Sequence, residues 1–313
     1  MKNITKYIIG ISILVFGFVA CSQKENNEAT QIDKPKIAVS IYPLKAILAE
    51  LVGDKMEIEV IVPPNASPHT FEPTPIDIQK IEKADAIFYV NRHLDSWLVK
   101  PYNDKSVPVL KMIDRNLIEN TLHHCTGCGN EHHNEIEATN EYESIDPHFW
   151  TSPKLVKNIL PKLVEILIKI DAENAEFYRS KEKEFSEALV NLDEKIKAQL
   201  QHLKNYKIFT LHNSFSYFIN NFGLTYGGAI EEKAGQEPST RYFYDIAKQI
   251  KEAKIAAIFS EAQLKSNIME NLANELGVKV FELDPIGGKD SLTTYFDIIT
   301  YNANVIEKAF GIK

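Results

Sequence analysis

Three histidines stand at junctions between apolar segments, positions where a side chain is held by its neighbours yet faces a crevice. His69 follows the β-rich run Met56 to Val62 across the proline-rich turn 63–68. His148 lies in Asp146-Pro147-His148-Phe149-Trp150, just ahead of a helical pattern that begins at Pro153. His212 directly follows the strand-like run Lys207 to Leu211. Asp284 ends the run Val278 to Leu283, ahead of Pro285 and the pair Gly287-Gly288. In open α/β sheets, groups at the carboxyl ends of strands converge on the crevice where ligands bind. Three imidazoles and one carboxylate would make a four-ligand N/O site, suited to a divalent metal of borderline softness. A second group is denser. His123, His124, His132 and His133 fall within eleven residues, interleaved with Cys125 and Cys128.

The elements that must position these groups are those of an α/β chain. Strand-like runs at Lys36 to Ile41, Met56 to Val62 and Ala86 to Val90 alternate with helical patterns at Leu44 to Val52 and Pro75 to Ala84. That alternation predicts βαβ units and mostly parallel sheets flanked by helices. Residues 121–144 are polar, rich in His and Glu and without hydrophobic period, and read as a surface loop. A helix is expected from Pro153 to Ile170. Then Tyr178, Phe185, Leu189, Leu192, Ile196, Leu200 and Leu203 draw one apolar stripe along Asp171 to Leu203. We read it as one long rigid helix joining two lobes of a monomer; a dimeric coiled coil is the alternative. Beyond it, strands Lys207–Leu211, Ile255–Phe259 and Val278–Leu283 alternate with helices Ser214–Phe222, Thr240–Ala253, Lys265–Leu276 and Leu292–Phe310. The segment Gly227 to Pro238 reads as a loop. The expected division is an N-terminal α/β lobe over 35–170, a linking helix over 171–204 and a C-terminal α/β lobe over 205–313.

Composition narrows the classes. The chain has 313 residues, 44% hydrophobic and 25% charged, which is ordinary globular composition. A net charge of −8 offers no electrostatic footprint for nucleic acid. Three cysteines are too few for a disulfide scaffold. Lys2 and Lys6 precede an uncharged run, Tyr7 to Ala20, that falls short of the ~20 apolar residues a membrane-spanning helix needs. It reads as a signal peptide over 1–20. Cys21 after small residues resembles the bacterial lipoprotein signal, in which that cysteine becomes the lipidated first residue. The implied place is the cell envelope, anchored to a membrane through Cys21 with 21–34 as a flexible tether. The alternative is an ordinary secreted protein in which Cys21 is incidental.

The local words around the candidate ligands carry a family resemblance. The turn from Pro63 to Pro75 around His69 resembles the first-ligand motif of the zinc/manganese solute-binding proteins of bacterial ABC importers. Asp146-Pro147-His148, followed by Phe149-Trp150 and Ser152-Pro153, resembles the second, and Leu211-His212 through Phe218 the third. Glu231 to Ser239, Phe259 to Gln263 and Leu283-Asp284-Pro285 resemble further blocks, in the family's order. The resemblance runs from about Lys36 to the C-terminus. It implies two α/β lobes bridged by one rigid helix, and His69, His148, His212 and Asp284 as metal ligands. Manganese-type members place a Glu at the third position and zinc-type members a His, so His212 favours Zn2+ over Mn2+. Imidazole suits zinc, whereas carboxylate and water suit manganese.

The implied function is an extracytoplasmic receptor that captures zinc between two lobes and delivers it to an ABC permease. A manganese or iron receptor and a metal-binding adhesin are alternatives on the same fold. A zinc hydrolase fits worse, because no His-Glu-x-x-His word occurs and four protein ligands would close the metal. Glu261 is expected either to orient a ligating imidazole or to act as a structural cap. The 123–133 cluster is expected either to capture metal in an auxiliary way or to be a solvated loop. Cys125 and Cys128 could form a disulfide or bind a soft metal.

Overall fold

The computed structural model describes residues 34–99, 103–118, 145–264, 267–289 and 291–311. Cys21, the segment 1–33 and the cluster His123, His124, Cys125, Cys128, His132 and His133 lie outside the described residues.

The first sheet is built from β1 (Lys36–Val39), β2 (Glu57–Val60), β3 (Ala86–Tyr89) and β4 (Ser106–Pro108), with helices α1 (Tyr42–Val52), α2 (Pro75–Glu82) and the short α3 (Ser96–Val99) between them. Its order is β2-β1-β3-β4 and every pairing is parallel. The central strands explain the order. Ile37, Ala38 and Val39 of β1 and all of β3 are buried, while β2 alternates Glu57 and Glu59 outward on the edge. Strands covered on both faces read as continuous apolar runs, and edge strands do not. Pro75 and the reciprocal Thr74–Asp77 capping box fix the start of α2 where the prolines of the preceding turn end.

From His148 the chain turns into α4 (Pro153–Ile170), capped by the Ser152 hydroxyl accepting from the backbone N–H of Leu155. It then runs into α5 (Ala175–Leu200), 26 residues or about 39 Å at 1.5 Å per residue. Tyr178, Phe185, Leu189, Leu192, Ile196 and Leu200 form its buried stripe. The helix packs on α1 and α4 and, farther along, on α9 (Tyr295–Ala309). It therefore bridges both halves, as the stripe implied. The α-helical part is shorter than the pattern: single 3-10 turns, Ala172–Asn174 and Gln201–Leu203, form its ends.

The second sheet repeats the first. Strands β5 (Lys207–Thr210), β6 (Thr225–Ala229), β7 (Ala257–Glu261) and β8 (Lys279–Leu283) are parallel in the order β6-β5-β7-β8, flanked by α6 (Ser216–Asn221), α7 (Thr240–Ala253), α8 (Asn267–Leu276) and α9. Strand β6 was not expected from the sequence, where Gly227 opens a loop. Gly227 is there for packing. A Cβ on Gly227 would lie 2.6 Å from the Phe209 ring of β5, so the aromatic side chain fills the place of a side chain on the edge strand.

Candidate metal centre

The ligand candidates arrive from three different connections. His69 sits in the turn between β2 and α2, which Ala66 N–H to Pro63 O and Thr70 N–H to Ser67 O fold back on itself. His148 precedes α4. His212 lies two residues beyond β5, beside the end of β7. In a sheet of order β6-β5-β7-β8 the chain reverses its direction of winding between β5 and β7, the crevice where parallel sheets bind ligands.

The structure brings the three imidazoles together. Their Nε2 atoms form a triangle with edges of 3.1, 3.2 and 3.3 Å. A tetrahedral ion with Zn–N bonds of about 2.05 Å separates its nitrogens by about 3.3 Å, so the triangle has the dimension zinc requires. The opposite ring nitrogens explain why these edges point inward. Nδ1 of His148 lies 2.7 Å from Oδ1 of Asp146, and Nδ1 of His212 lies 2.7 Å from Oε1 of Glu261. Each carboxylate accepts the Nδ1–H, which turns the Nε2 lone pair into the cage. Lone pairs facing one another at this distance repel, and a shared cation relieves them.

The supporting carboxylates are themselves fixed. Asp146 also accepts the backbone N–H of His148, and its second oxygen takes the Ser216 hydroxyl. Tyr217 donates to the Asp146 carbonyl. Glu261 accepts the backbone N–H of His212 as well as its ring. Glu261 is thus an acceptor that orients an imidazole. Trp150, whose ring lies 5.2 Å from that of His148, donates its indole N–H to Pro285 O, and Tyr295 donates to Trp150 O. These contacts pin the segment carrying His148 to the second half of the molecule.

Electrostatics divides the imidazoles. Burial pushes His69 well below the usual imidazole range, and His212 and His148 beside it add to that. Burial acts the same way on His212, but the charge and hydrogen bond of Glu261 outweigh it and raise the group above its ordinary value. Asp146 is buried, which disfavours its charge, yet its contacts with His148 and Ser216 hold it below the usual carboxylate range.

Asp284 is placed differently. It is buried at 1% exposure, but its oxygens are not in the group of donor atoms lying within 4.8 Å of one another, which consists of His69, His148 and His212. Its Oδ1 accepts from Gln263 Nε2 at 2.7 Å and from the backbone N–H groups of Ile286 and Gly287. Sequence reasoning missed Asp146 and Gln263, although both lie inside the words that carried the resemblance.

The cavity at the triad has a volume of about 10 Å³, room for one water-sized species. A larger cleft of about 850 Å³ lies between α7 and α8, lined by Glu231, Glu237, Glu275 and Asn271 among others. Among the described residues no imidazole lines it, and the donor set rather than the size selects the triad.

Two sheets of one strand order, bridged by a long helix and closing an ion-sized nitrogen cage, define a solute-binding architecture for a single small ion. Residues 37–309 match the family described as the periplasmic zinc-uptake complex component A, ZnuA, and the chain belongs to it. That family supplies the solute-binding receptors of zinc ABC importers. The chain is similar to the high-affinity zinc uptake system protein ZnuA of Bacillus subtilis, 25% identical over 313 residues that span 98% of this chain and 97% of that one. It is similar to the zinc-binding protein AdcA of Streptococcus pyogenes, 27% identical over 300 residues, 90% of this chain but 56% of AdcA. A crystal structure of ZnuA matches with a TM-score of 0.72 at 26% identity, covering 89% of this chain and 100% of that one.

Proposed function

We propose that this chain captures one Zn2+ on the Nε2 atoms of His69, His148 and His212, with Asp284 completing the ligand set, and hands it to the membrane permease of an ABC importer. The Nε2 triangle carries this reading. Its edges match tetrahedral zinc, and the donors are imidazole rather than the oxygen-rich set that manganese prefers. The role is binding and not hydrolysis. Three imidazoles and one carboxylate would close a tetrahedral zinc and leave no open position for a hydrolytic water.

The chain functions as two lobes, 35–170 and 205–313, on a linking helix over 171–204. Residues 1–20 serve as the signal peptide, and Cys21 takes the lipid that anchors the receptor through the tether 21–34. The cluster His123, His124, His132 and His133 captures zinc in an auxiliary way.

Elemental analysis and calorimetry on protein lacking residues 1–20 test the reading. One tight zinc per chain is expected. Deleting 123–133 should lower total zinc but keep that tight site. Loss of the tight site on this deletion would overturn the auxiliary role, and absence of tight zinc from the parent protein would overturn the assignment.

A further inference from the structure

The loop that follows Asp284 touches the cage on one side and the opposite half of the molecule on the other. Pro285 and Ile286 line the triad cavity beside His69, His148 and His212. Two residues further, Gly288 lies against the half that carries the first sheet. A Cβ at Gly288 would stand 2.5 Å from Cγ and Cδ2 of Tyr42, the first residue of α1, and 2.9 Å from Cγ of Pro64, in the turn that presents His69. Carbon atoms pack at about 3.5–4 Å, so only a residue without a Cβ lets the loop seat there.

Neither side of this contact gives way cheaply. The Tyr42 hydroxyl donates to Thr293 O at 3.0 Å, which pins the ring across the same loop. Pro64 is a closed ring, and its carbonyl accepts from Gln263 Nε2 at 3.2 Å. The loop is tied to itself, with Gly288 N–H donating to Leu292 O at 2.7 Å and Leu292 N–H to Lys289 O at 2.9 Å. At Gly288 the backbone has φ +80°, a conformation that favours glycine. The neighbouring Gly287 is also crowded, but the nearest atoms to a Cβ there belong to Ile298 of α9, in the loop's own half. The two glycines therefore serve different contacts.

We propose that Gly288 is a positioning residue for ion capture: its missing side chain lets the loop after Asp284 seat on Tyr42 and Pro64, which closes the Pro285–Ile286 wall over the cage and holds the His69 turn where its Nε2 meets those of His148 and His212. The inference rests on the triad being the zinc site. A methyl group at 288 would wedge the two halves apart beside the cage. The wedge bears on the closed, ion-holding arrangement, so it speeds escape of the ion more than it slows arrival.

Zinc release into excess chelator, followed by stopped flow on protein lacking residues 1–20, tests this. Gly288→Ala should release zinc about tenfold faster, the usual size of an overpacking penalty. Gly277→Ala is the control for backbone strain. Gly277, just after α8, has φ +71° and nothing within 4 Å of a Cβ, so this variant should lower thermal stability and leave release unchanged. Tyr42→Ala removes the ring that the methyl would strike, so Gly288→Ala should accelerate release several-fold less in that background than in the parent. Unchanged release in Gly288→Ala would overturn the proposal. So would equal acceleration by Gly277→Ala, or strictly additive effects of Gly288→Ala and Tyr42→Ala, because position 288 would then act through strain alone. If Gly288→Ala does not fold, Tyr42→Phe carries the test. It deletes only the bond to Thr293 O and should speed release about threefold, and release at the parent rate would overturn the proposal. A parent protein that holds no tight zinc would instead sink the zinc-site reading, and the inference with it.

Discussion

The two sheets share one strand order and hold different chemistry at the same place in it. At the winding reversal of the second sheet, between β5 and β7, His212 meets Glu261 and turns a nitrogen into the cage. At the equivalent place in the first sheet, between β1 and β3, stand Ser40, Asn91 and Asp95, all buried. Oδ2 of Asp95 accepts the backbone N–H groups of Val90 and Asn91, and Asn91 Oδ1 accepts that of Leu94. The Ser40 hydroxyl, the Asn91 amide nitrogen and Asp95 Oδ1 make no regular hydrogen bond. Burial pushes the Asp95 carboxyl up to about 7, against the opposing effect of the Val90 and Asn91 N–H groups. One crevice spends its carboxylate on aiming an imidazole at a ligand. The other spends it on closing a loop. Topology therefore marks where a site can be, and side chains decide whether there is one.

The sharpest way to break this contrast is to remove the second sheet's imidazole. Apparent zinc-binding energies of ~10–16 kcal/mol shared over four ligands give roughly 3 kcal/mol each, so His212→Ala should weaken zinc by at least about a hundredfold. Calorimetry against a competing chelator measures this. Tight binding that survives the substitution would remove His212 from the site.

Next in size is its carboxylate partner. Glu261→Gln should cost about 10–100-fold in zinc affinity, the usual effect of losing an acceptor behind a ligating histidine. It should also move the pH profile. Glu261 raises His212, so protons compete with zinc early as pH falls, and affinity should begin to decline at a higher pH than an ordinary imidazole would set. Without the carboxylate, the decline should begin at lower pH. An unmoved profile would mean that Glu261 does not set the protonation of His212.

The first sheet supplies a smaller and opposite effect, on stability instead of affinity. The folded value of Asp95 lies above its ordinary 3.8, so the folded state holds the proton more tightly than the unfolded chain. Its contribution is greatest below the unfolded value and is lost as pH rises through about 7. Asp95→Asn should therefore stabilise the fold at pH 8 by on the order of 1–2 kcal/mol and much less at pH 5, read by urea unfolding. Zinc affinity should change far less than in the His212 and Glu261 variants, because Asp95 holds the Val90 and Asn91 backbone and its loop acts on the triad through the charge of His93 on His69. A large loss of zinc binding in this variant would make the two crevices functionally one.

Much of this was legible in the chain. Central strands β1, β3, β5 and β7 are apolar runs with turn signals around them, and the stripe from Tyr178 to Leu200 foretold α5. Edge strands β2 and β8 were expected as well, but β4 and β6 were not. Three-residue β4 is too short for a pattern, and β6 carries two glycines, Gly227 against the Phe209 ring of a neighbouring strand and Gly228 at φ +138° against Ile246 of α7. At the site, the three imidazoles were marked by their junctions and by the surrounding words. Which distant group serves which imidazole was not marked, although Glu261 was expected either to orient an imidazole or to act as a cap. Glu261 lies 49 residues from His212, and Gln263 lies 199 from the Pro64 carbonyl it holds. Such partners are chosen by the fold, and no local spacing records them.

The cage of about 10 Å³ has a consequence for which ions arrive at all. An aquated dication carries its inner shell of water with it, and no such shell fits between His69, His148 and His212. Entry requires dehydration. Magnesium surrenders its waters reluctantly and binds imidazole poorly, so an abundant competitor is turned away by its own hydration before any ligand is tested.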